Sequence, residues 1–372
     1  MPNYIPVNEP LFIGNEKKYL EECIDTGWIS SEGPFVKKFE TEFAKVIKRK
    51  YGISVCNGSV AIDVAIAALG IGSGDEVIMP TFTIISCATA IVRAGAMPVL
   101  IDSDKDTWNM DVEQIEKKIT KRTKAIMVVH IYGLPVDMNP ILQIAKKYDL
   151  FIIEDAAEVI GQTYYNKPCG SFGDISIFSF YPNKHITTGE GGMVVTDDQE
   201  LAKKCKSLRN LCFQPQQRFL HEDLGWNFRL SNLHAAVGMA QLEQLDKSII
   251  RKREIGIRYI NNLKDLSSIQ LPQLNTDYAE NIFWVFSIVL IDDKYSSAAI
   301  IMDLLKTKNI GTRPFFWPMH EQPVFHKMGL FQNESHPVAE NIARKGFYIP
   351  SGLAITNEHI DIVSQTLLEL LD

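Results

Sequence analysis

The sequence predicts an α/β protein with a mostly parallel sheet covered by helices on both faces, followed by a smaller α+β unit. Three observations carry this reading. Strand-like and helix-like stretches alternate from about residue 50 to 200. The strand-like runs are apolar throughout, as strands buried on both faces are. After residue 231 the alternation gives way to a long helical stretch and then to mixed elements.

Taken in chain order, "GISVCN" (52–57) is a short β-branched run ending at a turn. "SVAIDVAIAALG" (59–70) is Ala-rich, has apolar residues at helical spacing and stops at Gly70. "EVIMP" (76–80) reads as a buried strand ended by its proline, and "TIISCATAIVRAG" (83–95) as a helix. "MPVLIDSD" (97–104), "AIMVVHIYG" (125–133) and "FIIEDAA" (151–157) are further strand-like runs. Helical patterns, "DVEQIEKKIT" and "MNPILQIAKKYD", lie between them. "DISIFSF" and "MVVTDD" flank the glycine-rich stretch around Lys184. From residue 231 a helical stretch runs to about residue 263, with a break expected near Asp246 and Ser231 or Asn232 as N-cap. We divide the chain at this point: residues 1–245 form an N-terminal arm and a large domain, and 246–372 a smaller α+β domain with the strand "FWVFSIVLID" and the helix "AAIIMDLLKTKN".

Composition narrows the function. The chain has 372 residues, 46% apolar and 22% charged, enough for a large core and two domains. Its net charge is -7 and it has no basic block, which argues against nucleic acid as a partner. No apolar run approaches a membrane span, and "MPNYIPVNEP" lacks the features of a signal peptide. The six scattered cysteines form no CxxC, as expected of reduced thiols in a cytoplasmic protein. The eight histidines show no HExxH-type spacing, so no metal site is expected.

In sheets of this kind ligands gather in the loops after the carboxyl ends of strands. Four such loops stand out. In "CNGSVA" a strand leads through Gly58 and Ser59 into a helix whose free N–H groups and dipole favour a phosphate. In "FIIEDAAEVIG" an acid follows an apolar strand, where a carboxylate is costly without a cationic partner. A protonated heteroaromatic nitrogen is such a partner; an Asp facing a pyridinium is the recurring device of pyridoxal phosphate (PLP) enzymes. In "SFYPNKHITTGEGG" the hydroxyl of Ser179 is available to phosphate, and a lysine in a dry pocket can form a Schiff base. In "LGWNFRLSN", Asn227 and Arg229 precede the long helix. Each loop alone has a plainer account: a serine-capped turn, an acidic N-cap, a surface lysine, a tight turn. Their order along the chain is the layout of the aspartate-aminotransferase-like fold, fold type I of the PLP enzymes.

The stretches "NGSVAIDVAIAALGIGSGDEVIMPTFT", "VVHIYG", "IIEDAAEVIG", "GSFGDISIFSFYPNKHITTGEGGMVVTDD" and "NFRLSNLHAAVGMAQLEQLD" resemble the DegT-type nucleotide-sugar aminotransferases, nearest those that aminate C4 of a 6-deoxyhexose. The resemblance implies that Lys184 holds PLP as a Schiff base and then shuttles a proton. It implies that Asp155 pairs with the ring nitrogen and that Glu158 lies near the ring hydroxyl. Gly58, Ser59 and Ser179 hold the phosphate, and Asn227 reaches it from the other subunit of a homodimer. Relatives often carry Tyr or Trp at the place of Ile84, so Phe82 is the candidate for ring contact. Arg313 and His320, in "RPFFWPMH", and Arg229 are candidates for the substrate's diphosphate.

The activity so implied is amino transfer from an amino acid, L-glutamate, to a nucleotide-linked 4-keto-6-deoxyhexose. A 4-keto-6-deoxyglucose giving viosamine is placed first and the mannose-derived perosamine route second. Amination at C3, sugar dehydration and a non-catalytic regulatory protein of the same fold stay open. The intact Lys184, where a dehydrating subgroup carries histidine, favours transamination.

Overall fold

The computed structural model describes residues 4–214, 216–291 and 297–371. Its largest sheet is built from β1 (Tyr51–Val55), β2 (Glu76–Pro80), β3 (Met97–Ile101), β4 (Thr123–Val129) and β5 (Phe151–Asp155). A two-stranded hairpin, β6 (Thr163–Tyr164) and β7 (Lys167–Pro168), precedes the last two strands of that sheet, β8 (Ile175–Ser179) and β9 (Gly192–Thr196). The order across the seven strands is β1-β9-β8-β5-β4-β2-β3. β3, β2, β4, β5 and β8 pair in parallel, and β9 runs antiparallel between β8 and β1.

Side chains of these strands alternate between two apolar layers, as the pleat requires. In β4, Ala125, Met127 and Val129 enter one layer while Ile126 and Val128 enter the other. The first layer is covered by α3 (Gly58–Ala68), α4 (Ile85–Arg93) and α6 (Gln199–Arg209). The second is covered by α2 (Pro34–Val46), α5 (Met138–Tyr148) and α7 (Asn232–Leu242), with α1 (Glu16–Thr26) packed against α7. Burying one such Ile or Val side chain contributes about 1.5–3 kcal/mol, so uninterrupted apolar runs are stable only between two helical layers.

One expectation needs adjustment. "DVEQIEKKIT" forms two short 3-10 turns, Val112–Gln114 and Glu116–Lys118, not one helix. Ile115 is its only fully buried side chain, and a single apolar anchor does not stabilise a longer helix. The long helical stretch breaks at Glu243 and Gln244, before α8 (Leu245–Leu263), close to the break expected near Asp246.

α8 leads to a second, four-stranded antiparallel sheet. It comprises β10 (Ile269–Gln270), β11 (Phe286–Leu290), β12 (Arg313–Pro314) and β13 (Gly346–Ile349), in the order β10-β11-β13-β12. α8, α9 (Ala298–Thr307) and α12 (Asn357–Leu371) bury their apolar faces with it. The short helices α10 (Pro323–Lys327) and α11 (Pro337–Lys345) join it to the first layer of the large sheet. Ile5 bridges to Ile310 and is buried in this later core, so the start of the chain packs with the end of it.

Candidate active site

At the carboxyl ends of β4, β5 and β8 lies a cavity of about 610 Å³. Asp155, Glu158, Ser179, Lys184 and Trp284 line it, and Asn57, Gly58 and Ser59 form one side. A wider groove of about 1020 Å³ lies at the other ends of the strands, beside Phe151 and Asp174. Parallel sheets seldom place ligands there, and no buried acid–lysine pair lines it.

Three ionisable groups meet in the smaller cavity. Lys184 Nζ lies 3.8 Å from Glu158 Oε1 and 3.7 Å from the centre of the Trp284 ring. Burial lowers the amine, against the opposing pull of Glu158 and Asp155. Burial also raises Glu158, to about 8, with Lys184 and the N–H of Tyr132 acting in the other direction. Asp155 is raised chiefly by burial, although the Ala157 N–H donates to its Oδ1 and the Cys87 thiol to its Oδ2. Each group is therefore pressed toward its neutral form and is poised to exchange protons.

Strand alternation separates Glu154 from Asp155. Glu154 turns away from the cavity and is bonded by His130, Phe172, Gly173 and Ser176. Burial opposes its ionisation, but His130 and the N–H groups of Gly170 and Gly173 outweigh that and hold it at about 2. The tightly bound acid is structural; its neighbour on the opposite face, Asp155, is the one left for a ligand.

The residues proposed for phosphate form a cradle. Asn57 caps α3 by accepting from the Val60 N–H. Asn57 thus takes the capping place that the plainer account gave to a serine, and Ser59 pairs with Ser86, Oγ to Oγ at 2.7 Å. A Cβ at Gly58 would lie 2.7 Å from Ser179 Cβ, so glycine is required for β8 and α3 to approach this closely. Gly58, Ser59 and Val60, the first turn of α3, line the cavity, and a helix N-terminus is the usual setting for a phosphate.

Other candidates are placed differently. Phe82 is fully buried among Tyr132, Phe315 and Phe316 and does not line the cavity, whereas Ile84 does and is 42% exposed. His320 is also buried away from the cavity, between Thr81 Oγ1 at 2.8 Å and Glu340 Oε1 at 3.1 Å. Both nitrogens are engaged, so the structure does not bring His320 to a substrate. Among the described residues, His320, Glu321 and Glu340 are the one group whose ligand-type atoms gather as a metal site would require, and the His320–Glu340 hydrogen bond accounts for the closeness of two of them. Arg313 is exposed and stands opposite Tyr348, which lines the cavity. Asn227 is exposed and lies outside the cavity lining; its Oδ1 accepts from Arg229 Nε, and Arg229 also donates to Asn210.

Trp284, Tyr348, Phe316 and Cys87 were not singled out from sequence. "NIFWVFSIVL" reads only as an apolar strand, and nothing local marks one of its aromatics as facing a lysine 100 residues earlier. No helix among the described residues is long and apolar enough to cross a membrane.

Comparison with known proteins agrees with this fold. The DegT/DnrJ/EryC1/StrS aminotransferase family matches residues 12–368. A GDP-perosamine synthase of Escherichia coli O157:H7 is 43% identical over 98% of this chain and 98% of its own. Another from Vibrio cholerae is 40% identical over 96% of each chain. Among solved structures, DesV of S. venezuelae, in complex with a ketimine intermediate, superposes with a TM-score of 0.89. It is 32% identical, over 96% of this chain and 94% of that one. The fold is that of these PLP aminotransferases and the cofactor is pyridoxal 5'-phosphate. The chain belongs to the DegT/DnrJ/EryC1/StrS aminotransferase family.

Proposed function

We propose that the protein transfers an amino group from an amino acid, with L-glutamate as the donor, to C4 of a nucleotide-linked 4-keto-6-deoxyhexose. The observation that carries this reading is the meeting of Lys184, Glu158 and Asp155 in one cavity beside the Gly58 cradle. The relatives named GDP-perosamine synthase support a GDP-linked, mannose-derived ketosugar ahead of the glucose-derived one that the sequence placed first.

The residues fit pyridoxal phosphate. The α3 N-terminus with Ser59 and Ser179 suits its phosphate, Asp155 its ring nitrogen, Glu158 its ring hydroxyl and Lys184 its aldehyde. When bound, the cofactor supplies an electrophilic carbon for amines and a ring that takes up the electrons released by proton removal.

Lys184 is the general base that takes a proton from a substrate carbon and the general acid that returns it. Its position under the Trp284 ring keeps the amine partly desolvated, which eases its deprotonation against the opposing pull of Glu158. Asp155 holds a proton on the ring nitrogen by charge; burial makes its carboxylate demand a cation there. Arg313, beside Tyr348, and Arg229 are retained as candidates for the diphosphate.

The active unit is proposed to be a homodimer with shared sites. Asn227 is exposed outside its own cavity, and Leu224, three residues before it, is 92% exposed. Trp28 and Ile29 are also exposed, which suits burial against a second copy. The experiment is to offer nucleotide 4-ketosugars with GDP, UDP or dTDP and glutamate, and to weigh the products. A GDP-linked 4-amino-4,6-dideoxyhexose is expected; a dehydrated product, or none with any ketosugar, refutes the reading.

A further inference from the structure

Lys252, on α8, is 1% exposed, and its amine points into the protein. It donates to the backbone carbonyl of Trp284 at 2.8 Å and to that of Ser351 at 2.6 Å. These two carbonyls lie just past the end of a ladder. β11 and β13 pair antiparallel from Phe286 opposite Ile349, and the same register sets Trp284 opposite Ser351, two residues beyond. Strand pairing stops there, and the single amine accepts the duty of joining both carbonyls where the next rung would be.

Several contacts bring α8 this close and hold the segment. A Cβ at Gly256, one turn beyond Lys252, would lie 2.2 Å from the Phe283 ring, so the helix rests directly on the residue before Trp284. Gly133 is as tight on the other side, since a Cβ there would meet the Trp284 nitrogen at 2.6 Å. The Ser351 hydroxyl accepts from the Phe286 N–H, and the indole Nε1 of Trp284 donates to Asn183 O, next to Lys184. The ring so held covers Lys184 Nζ.

We propose that Lys252 is a positioning residue for the reaction: by clamping the Trp284 carbonyl it fixes the indole over Lys184 and so sets the environment of the reacting amine. A lysine is suited to this task because it has three donors on one flexible stem, and it can serve two carbonyls from one point. Burying it is costly, and desolvation brings its ammonium down to about 7; a methionine would pack there without that penalty. His185, buried nearby, is driven neutral by burial and by the charge of Lys252.

This inference rests on the proposed role of Lys184 as the cofactor-bearing amine. The test uses the holoenzyme. Borohydride reduction followed by peptide mapping first locates the cofactor; attachment elsewhere than Lys184 removes the underlying reading. With attachment at Lys184, the pH midpoint of the bound cofactor's visible absorbance is titrated in Lys252→Met, in Trp284→Leu and in the double variant. Burial is the largest influence on Lys184 and the ring supplies part of that cover, so loss of the clamp is expected to move the midpoint up by about half a unit or more. Trp284→Leu is expected to do the same, and the double variant to do no more than either. The turnover number falls while KM for the amino acid stays within about twofold. An unchanged midpoint in Lys252→Met overturns the proposal, as does a shift that persists in full on the Trp284→Leu background. Should Lys252→Met not fold, Lys252→Gln, which keeps a donor for one carbonyl, is read in the same way.

Discussion

Lys184 Nζ and Glu158 Oε1 face each other at 3.8 Å in a cavity where burial opposes the charge of both. Neither side chain is bound tightly enough to be consumed by structure. The pair therefore has room for one mobile proton between them.

Lys184→Ala is expected to keep the fold and to lower amino transfer by about 10²-fold or more, the usual share of a positioned proton carrier. The comparison is of initial rates at saturating substrate, with circular dichroism as the folding control. A loss of less than tenfold would count against Lys184 as the proton carrier.

Asp155→Asn preserves shape but removes the charge that holds a proton on a ring nitrogen. Turnover is expected to fall by about 10²- to 10³-fold, as on loss of a preorganised charge. Near-parental rates would remove Asp155 from this role.

Glu158 makes the cofactor-free protein sensitive to alkali. Its folded value, about 8, lies above the ordinary carboxylate value, so the folded state binds the proton more tightly than the unfolded state. That stabilisation is complete at low pH and declines as pH rises through the ordinary carboxylate range towards about 8. Glu158→Gln cannot ionise. Its Tm is therefore expected to fall less than the parent's between about pH 5 and 8. Parallel Tm curves would contradict the assignment.

Gly58→Ala forces apart Gly58 and Ser179, since the new Cβ has only 2.7 Å to its neighbour. Retention of pyridoxal phosphate is expected to weaken about tenfold or more, corresponding to a modest overpacking cost. Equilibrium dialysis of the cofactor measures it, and undiminished affinity would show that the cradle is not the phosphate site.

Purified mixed dimers of Asn227→Ala with Lys184→Ala are expected to show about half of the parental activity, because one of their two sites is intact, and a random equal mixture about a quarter. Absence of recovery in verified mixed dimers would argue that each chain carries a complete site.

Much of this was legible in the sequence because its signals are local. Apolar runs such as "AIMVV" announce a strand buried on both faces, and Gly58 after such a run announces a close approach. Asp155 closes β5 and Lys184 stands in the loop after β8, at the strand ends where a parallel sheet collects ligands. Residues reached across the fold were not legible. His320 looked available in "RPFFWPMH", yet packing gives both its nitrogens to Thr81 and Glu340. Phe82 looked like a ring platform, yet it closes an aromatic core.

The sequence by itself determined the strand–helix alternation, the parallel sheet and the loops that bear the lysine and the acid, because periodicity and turn chemistry act over a few residues. Only the tertiary structure decided that His130 and the Gly173 N–H hold Glu154, that Trp284 covers Lys184, and that Lys252 secures Trp284. Those outcomes depend on which distant elements pack together and on which face of each element is enclosed, and no short-range pattern encodes either.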